Sequence, residues 1–349
     1  MAKKNPYTLL QIRIVLCILL KGKISLKKIF NFLYGEIAHK LKLRKSARFP
    51  FMIIFELWNE CNAQCTFCRT VDGKIHNLTE NSSISYIEKG RMPLSTYQAV
   101  IDQVKDHILI GILYLNGEPL MYKDLGKAVR YATDRKVASL IATNGELLSE
   151  LKIKELLDSG LDVIKIAISG FTQEIYQVQH RNCHIEKVKD NLRNLAHLKK
   201  VLGSDIVVML DYIIYEYNTH EKELARQFAE ELGFIFNLRR GNLYKLDEEH
   251  PDLMPKHISE DPKLPIKELC EWPWKVMTID WNGNIFQCCE YVVRSDGEPY
   301  TTFQPKQSNL AEIWNGPIAA KHREIHAIEG RGGIDICSQC PRVGTAFKY

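Results

Sequence analysis

From residue 49 onward, short apolar runs alternate with stretches of helical periodicity. Phe51–Leu57, Leu109–Leu115, Val137–Thr143, Val163–Ser169, Ile206–Tyr215 and Phe234–Leu238 have the length and apolar content of buried strands. Residues 95–106, 124–135, 149–159, 184–201 and 219–232 between them predict helices. Such alternation marks parallel βαβ units. Six strands with intervening helices suit a partial or full barrel better than a small open sheet. In parallel α/β folds the chemistry gathers beyond the C-terminal ends of the strands.

The two ends of the chain follow other patterns. Near the start, Ile14–Leu20 is an apolar run of seven residues, too short to span a bilayer. It has the length of a signal-peptide core, but Lys21 and Lys23 follow in place of a small-residue cleavage site. Leu26, Ile29, Phe30, Leu33, Ile37 and Leu41 then recur at helical spacing, with lysines on the other face. Such a stripe either packs on the protein's own core or docks on an anionic membrane or an acidic partner. Near the other end, Asp247 to Leu269 is rich in Pro and charge and predicts a connector. Val276–Asp280 and Ile285–Cys289 flank Trp281-Asn282-Gly283-Asn284, which predicts a hairpin with an Asn-Gly turn.

Charge sharpens this division. Residues 1–50 hold twelve Lys or Arg against one acid, Glu36, in a chain whose net charge is only +5. A basic arm of this kind is generic electrostatics, and specific nucleic-acid binding is not expected because no such motif accompanies it. At 349 residues the expectation is about two to three domains. The boundaries fall at 1–48, a basic amphipathic helical segment; 49–245, the βα core; and 246–349, a cysteine-bearing tail.

Ten cysteines would suggest disulfides in a small secreted protein, but here most fall in two sets. Grouping of this kind points to metal ligation in a reducing compartment, with the cytoplasm as the default. Cys61, Cys65 and Cys68 form a C-x3-C-x2-C loop directly after the first strand. Three thiolates can hold three irons of a [4Fe–4S] cube and leave the fourth open. A closed zinc site would need a fourth ligand, which this loop lacks. Cys270, Cys288, Cys289, Cys337 and Cys340 form the second set, where four-cysteine zinc and a fully ligated cluster are both compatible with the spacing.

The first set, with Phe67 before its last cysteine, resembles the radical S-adenosylmethionine (SAM) superfamily. Further segments carry the same resemblance at successive strand ends: Asn116-Gly117-Glu118-Pro119, Thr143-Asn144-Gly145, and Ile168-Ser169-Gly170 followed by Tyr176 and Arg181. Tyr217-Asn218 adds a weaker match. Gly283-x4-Cys288, Pro273-Trp274, Asn309-Leu310 with Ile313-Trp314-Asn315, and Cys337-x2-Cys340 resemble the SPASM/twitch extension. The resemblance implies a partial (β/α)6 TIM barrel followed by a SPASM/twitch-like domain containing a hairpin and a helix. The radical SAM part departs from the family in two places, Asn116 in place of the usual first Gly and the usual Asp missing after Ser169, and the second cysteine set has fewer than the seven cysteines of the full SPASM pattern.

By that resemblance, Cys61, Cys65 and Cys68 hold a [4Fe–4S] cluster whose open iron binds SAM. Cys270, Cys288, Cys337 and Cys340 hold one auxiliary [4Fe–4S] cluster, with Cys289 a bystander. Asn116, Gly117, Glu118 and Pro119 face the methionine amino group, Phe67 lies on the adenine, and Asn144 approaches the floor of the site. Ser169 contacts the ribose or carboxylate, and Arg181 pairs with the carboxylate. For Asn144 and Arg181 an ordinary turn and a surface arginine stand as alternatives.

The implied activity is reductive cleavage of SAM to a 5′-deoxyadenosyl radical and abstraction of a substrate hydrogen. An auxiliary cluster gives an electron a way out, so dehydrogenation of a sugar, aminocyclitol or similar small molecule is expected, with flavodoxin or ferredoxin as the class of electron donor. Residues 1–50 are fewer than the peptide-recognition domain that often precedes peptide-modifying members, so cross-linking, oxidation or epimerisation of a peptide comes second. A zinc-binding scaffold with a basic membrane- or partner-binding arm is the reading of a different class. No side chain identifies itself as the substrate's acid or base.

Overall fold

The six predicted strands all form, five of them trimmed at one or both ends and the sixth running two residues past its predicted end to Arg240. The computed structural model describes residues 6–67, 89–241, 269–292, 297–338 and 340. Cys68 lies outside the described residues, as do most of the polar residues 71–91, which the sequence predicts to be an insertion on the rim of the cysteine loop, and most of the predicted connector. Strands β1 (Met52–Phe55), β2 (Ile110–Ile112), β3 (Ala138–Thr143), β4 (Val163–Ile168), β5 (Val207–Ile214) and β6 (Ile235–Arg240) pair in parallel and in chain order. The chain opens on helices α1 (Pro6–Leu20) and α2 (Leu26–Lys40), and the crossovers are α3 (Leu94–Val104), α4 (Leu125–Asp134), α5 (Glu150–Ser159), α6 (Gln173–Gln179), α7 (Ile185–Val201) and α8 (Lys222–Glu231). The result is the mainly parallel α/β barrel expected.

Strand periodicity sorts the interior into two layers. Ile53, Phe55, Ile141, Ile164, Ile166, Val208 and Leu210 point outward and pack against the crossover helices. Met52, Ile54, Ile110, Ile112, Ala138, Leu140, Val163, Val207, Met209 and Ile235 point inward and make a second apolar cluster. Ile14, Cys17 and Ile18 of α1 belong to that inner cluster, so α1 plugs the barrel. The plug sits at the N-terminal ends of the strands. Lys23 Nζ reaches Asp162, just before β4, at 2.7 Å, and Cys17 Sγ approaches the carbonyl of Asp205, just before β5, at 3.6 Å.

The C-terminal part continues the same sheet. β7 (Val276–Ile279) runs parallel to β1, while β8 (Asn284–Phe286) and β9 (Thr301–Thr302) follow antiparallel, giving the order 6-5-4-3-2-1-7-8-9. The Asn282-Gly283 turn forms as predicted. Gly283 adopts φ +86°, and Asp280 Oδ1 accepts from the amides of Asn282 and Asn284 at 2.9 and 2.8 Å. The second arm is shorter than predicted, because after Phe286 the chain leaves the ladder and enters a helical turn at Cys289–Val292. Helix 317–329 carries Arg323, which is fully buried. Its guanidinium stacks 4.4 Å from Trp314 and donates to the carbonyls of Pro273 and Trp314 at 2.7 and 2.8 Å. These bonds lock the tail to the segment before β7.

Candidate active site

The cysteine loop is clamped from two sides by the other motifs. Its backbone pairs with the end of α6, with Gln64 and Thr66 donating to the carbonyls of Arg181 and Gln179, each at 3.0 Å. On the other side, Gly117 (φ +72°) lies so close that a Cβ there would meet the carbonyl carbon of Asn59 and the oxygen of Glu60 at 2.6 Å. No residue with a side chain fits there without moving the loop. The Glu118 amide completes the contact by donating to the Glu60 carbonyl at 2.8 Å. Pro119 follows as the buried first residue of a single 3-10 turn.

The Glu118 carboxylate faces inward among these motifs. It accepts from Thr143 Oγ1 at 2.7 Å, from the Asn144 amide at 2.9 Å and from the Leu120 amide at 3.0 Å. Burial pushes its pKa up to about 7 against those bonds. It thereby ties the second strand end to the third. Asn144 in turn donates to Asn62 Oδ1 at 3.0 Å and approaches Cys61 Sγ at 3.9 Å. The Ala63 amide lies 3.4 Å from the same sulfur. Donors turned toward a sulfur suit a thiolate held by iron, so the described part of the loop fits the cluster.

The adenosine side holds the remaining motif residues. Phe67 is buried, donates its amide N–H to Gln179 Oε1 at 3.0 Å, and has its ring 4.9 Å from Tyr215 at the end of β5. Ser169 is fully buried with its hydroxyl 2.7 Å from His180 Nδ1, while Asn218 donates to its carbonyl at 2.8 Å. Burial lowers the His180 pKa to about 3, so its ring is neutral, and it stacks on Tyr176 at 4.6 Å. Arg181 is exposed at the end of α6. The structure thus gathers Cys61, Cys65, Gly117, Glu118, Asn144 and the segment 178–181 into one cluster of contacts.

Toward the mouth the inner face of the barrel changes from apolar to polar, and this layer was missed in the sequence. Following Met52 and Ile54, the next inward position on β1 is Glu56; on β4 it is Lys165, on β5 Asp211, and on β6 Asn237 and Arg239. Asp211 is buried, 3.5 Å from Lys165 Nζ and 3.0 Å from Arg239 Nε, and also accepts from Asn237. Across the barrel Asn116 Nδ2 donates to Glu56 Oε1 at 2.6 Å, which gives a use for the side chain that departs from the family's Gly. Glu56 is fully buried and its Oε2 has no hydrogen-bond partner. Burial, with the Asp280 charge adding to it, raises its pKa to about 7. The overlooked signal was a charged or amide residue inside an otherwise apolar strand, as in Val163-Ile164-Lys165-Ile166.

Cys270, Cys288, Cys289, Cys337 and Cys340 line one cavity with Gln287 and Arg331. None of the described cysteines is in a disulfide. Arg331 is buried and donates to the carbonyls of Cys337, at 3.3 Å, and Cys340, while Gln287 Nε2 lies 3.6 Å from Cys337 Sγ. A cation and an amide beside converging sulfurs suit an anionic cluster. Cys288 is within electrostatic reach of Cys289, Cys337, Cys340 and Cys270, and it is half-buried at the edge of the apolar cluster in which Cys289 is fully buried. Cys289→Ala is therefore expected to leave iron at about eight per chain, and Cys288→Ala to lower it toward about four. Iron and sulfide analysis of the reconstituted proteins checks this, and the reverse pattern exchanges the two roles.

An α/β barrel with thiols grouped at its mouth, joined through β1 to a cysteine-lined hairpin unit, defines the class. The radical SAM superfamily model matches residues 55–227 and the SPASM iron–sulfur cluster-binding domain matches residues 270–341. The chain belongs to the radical SAM superfamily and carries a C-terminal SPASM domain. Its cofactors are the SAM-binding [4Fe–4S] cluster, SAM itself and an auxiliary iron–sulfur cluster, which sets the zinc scaffold aside. Among curated relatives, the AdoMet-dependent heme synthase of Methanosarcina barkeri is 24% identical over 53% of this chain and 49% of its own length. The PqqA peptide cyclase of Granulibacter bethesdensis is 23% identical over 53% of this chain and 45% of its own. The matched region thus spans half or less of these relatives.

Solved structures share the fold at low identity. SuiB of Streptococcus suis bound to S-adenosylmethionine superposes with TM-score 0.60 and 13% identity over 88% of this chain and 75% of its own. BtrN in complex with AdoMet and 2-DOIA superposes with TM-score 0.50 and 17% identity over 84% of this chain and 93% of its own.

Proposed function

We propose that this radical SAM enzyme dehydrogenates a small polar molecule such as a sugar or aminocyclitol. The observation that carries this reading is the polar inner layer at the mouth, where Lys165, Asp211, Asn237 and Arg239 face Glu56 and Asn116. Paired charges and amides inside the mouth of a barrel suit hydroxyl and amine groups, which must replace their water by fixed partners on entry. The bound clusters and SAM supply the hydrogen-abstracting 5′-deoxyadenosyl radical and a sink for the second electron. The chain's own residues bind, orient and take the proton. Glu56 Oε2 is the candidate base, buried and unpartnered, with a pKa about 7 that suits proton transfer near neutral pH. Gly117 to Pro119 and Asn144 hold the methionine end of SAM, with Arg181 closing on its carboxylate. Phe67 and Ser169 hold its adenosine. Cys270 and Cys288 pack against the apolar cluster inside the barrel.

A cytoplasmic setting with a flavodoxin- or ferredoxin-type electron donor fits this chemistry. Peptide modification is the second reading, favoured by sequence relatives named as PqqA peptide cyclases. The test is to offer deuterated sugars and aminocyclitols to the reconstituted holoenzyme with SAM and reductant. Deuterium should appear in 5′-deoxyadenosine, with a product lighter by two hydrogens. Deuterium transfer from peptides alone, or a product of unchanged mass, overturns the proposal.

Glu56→Gln should keep 5′-deoxyadenosine formation but lower product per 5′-deoxyadenosine by about 10²-fold. In the parent enzyme product formation should rise with pH through about 7 as Glu56 loses its proton, a midpoint set mainly by burial, with the neighbouring Asp280 charge adding to it. The Gln variant should lose that step. Retention of both yield and pH step removes Glu56 from the base role.

A further inference from the structure

Helix α2 is folded with its apolar stripe outward. Its buried positions are Lys28, Asn31, Gly35 and Ala38, one helical face of polar and small residues. Asn31 Nδ2 donates to the carbonyl of Phe49 at 2.9 Å, Lys28 Nζ to that of Lys23 at 3.1 Å, and Gly35 lies against the carbonyl of Trp274. Leu26, Phe30 and Leu41 are consequently 72%, 67% and 65% exposed, and Ile29, Leu33, Tyr34 and Ile37 join them. The preceding helix has a second exposed row at Ile12, Val15, Leu16 and Leu19, opposite the residues that plug the barrel. Burying these side chains on the protein's own core, one of the two sequence expectations, is therefore not what the fold does.

Apolar rows on two consecutive helices exceed the scattered exposure normal for a globular surface. Exposed cations edge them: Arg13, Lys27, Lys40, Lys42, Lys45 and Arg48. The one acid of this segment, Glu36, is neutralised by Lys275 at 2.6 Å. Protein interfaces deplete lysine around their apolar cores, whereas an amphipathic helix on anionic lipid wants apolar residues in the acyl boundary and lysines at the head groups. Among the described residues no helix is long and apolar enough to cross a membrane. From these observations we infer that α1 and α2 dock the enzyme on the surface of an anionic bilayer, lying on it without spanning it. The helices sit at the N-terminal ends of the strands, so docking leaves the mouth at the other end open.

The test is flotation of the holoenzyme with vesicles of phosphatidylcholine alone or with about one-third phosphatidylglycerol, at low and high salt. Binding should require the anionic lipid and fall at least tenfold at high salt. Phe30→Glu with Leu33→Glu, and separately Lys40→Gln with Lys42→Gln and Lys45→Gln, should each lower binding at least tenfold while SAM cleavage and iron content stay unchanged. Absence of binding to anionic vesicles at low salt overturns the inference, as does binding indifferent to both sets of substitutions. A holoenzyme that ignores vesicles but dissociates from dimer to monomer on Phe30→Glu with Leu33→Glu assigns the stripe to a second copy of the chain and overturns it equally.

Discussion

Replacing Cys61, Cys65 and Cys68 together by alanine is expected to abolish 5′-deoxyadenosine formation under strong reductant while leaving about four irons per chain. The loss follows from ligand chemistry: SAM binds through an iron that only a three-thiolate loop leaves open. It should be complete to the detection limit, because no other described group offers such a site. The remaining irons follow from the separation of the two cysteine sets. The auxiliary cavity is built from the segments around β7 and β8 and from residues 331–340, and the clamp on the cysteine loop is made by Gly117, Glu118 and the end of α6. Iron and sulfide analysis together with chromatography of the SAM products measures both. Undiminished 5′-deoxyadenosine from the triple variant removes these cysteines from the radical site. Loss of all iron would show that the auxiliary site depends on the first.

Asp162→Ala is expected to be among the most destabilising single changes in the barrel. The carboxylate is fully buried and accepts from Lys23 Nζ at 2.7 Å, Lys21 Nζ at 3.1 Å and the Ser139 amide at 2.9 Å. Lys23 is itself 2% exposed, and burial lowers its pKa despite the carboxylate. Without Asp162 that ammonium keeps only a 3.4 Å contact to Thr133 Oγ1 and is left in a low-dielectric pocket. Breaking one side of a buried pair costs about 3–5 kcal/mol. The midpoint of thermal unfolding should drop by about 4–7 °C, because an unfolding entropy of about 2.1 cal/mol/K per residue makes each kcal/mol worth roughly 1.4 °C in a chain of 349 residues. Lys23→Met in the same chain should recover part of the loss, because an apolar side chain needs no counter-charge. A drop under about 2 °C would mean that the α1 plug does not hold the barrel end shut. It also follows that removing residues 1–48 is no test of membrane docking, since α1 fills the barrel and α2 supplies hydrogen bonds to its base.

The βα order, the six strands, the hairpin turn and the two cysteine sets were legible in the sequence because each rests on local spacing. A buried parallel strand needs a short apolar run, a Gly at positive φ marks its turn, and ligand spacing follows from the reach of a loop. The meeting of Gly117 with the backbone of Asn59 and Glu60 lies beyond such spacing, as does the folding of Glu118 onto Thr143 and Asn144. Glu56 is a clear instance. In the chain it is one acid at the end of an apolar run, and its orphaned oxygen and raised pKa exist only once the neighbouring strands bury it, with the Asp280 charge adding to the rise and the Asn116 hydrogen bond opposing it.

The N-terminal helices divide the two kinds of information most sharply. The sequence by itself determined that Leu26, Ile29, Phe30, Leu33, Ile37 and Leu41 share one face of a helix, because 3.6 residues per turn permits nothing else. It also determined that this face lies amid positive charge. Which way the face points was decided by tertiary structure alone. The base of the barrel offers backbone carbonyls at Phe49, Lys23 and Lys136 that need donors, and Asn31 and Lys28 supply them. A buried carbonyl without a donor costs more than an apolar side chain left in water, so the polar face turned in and the apolar stripe stayed outside.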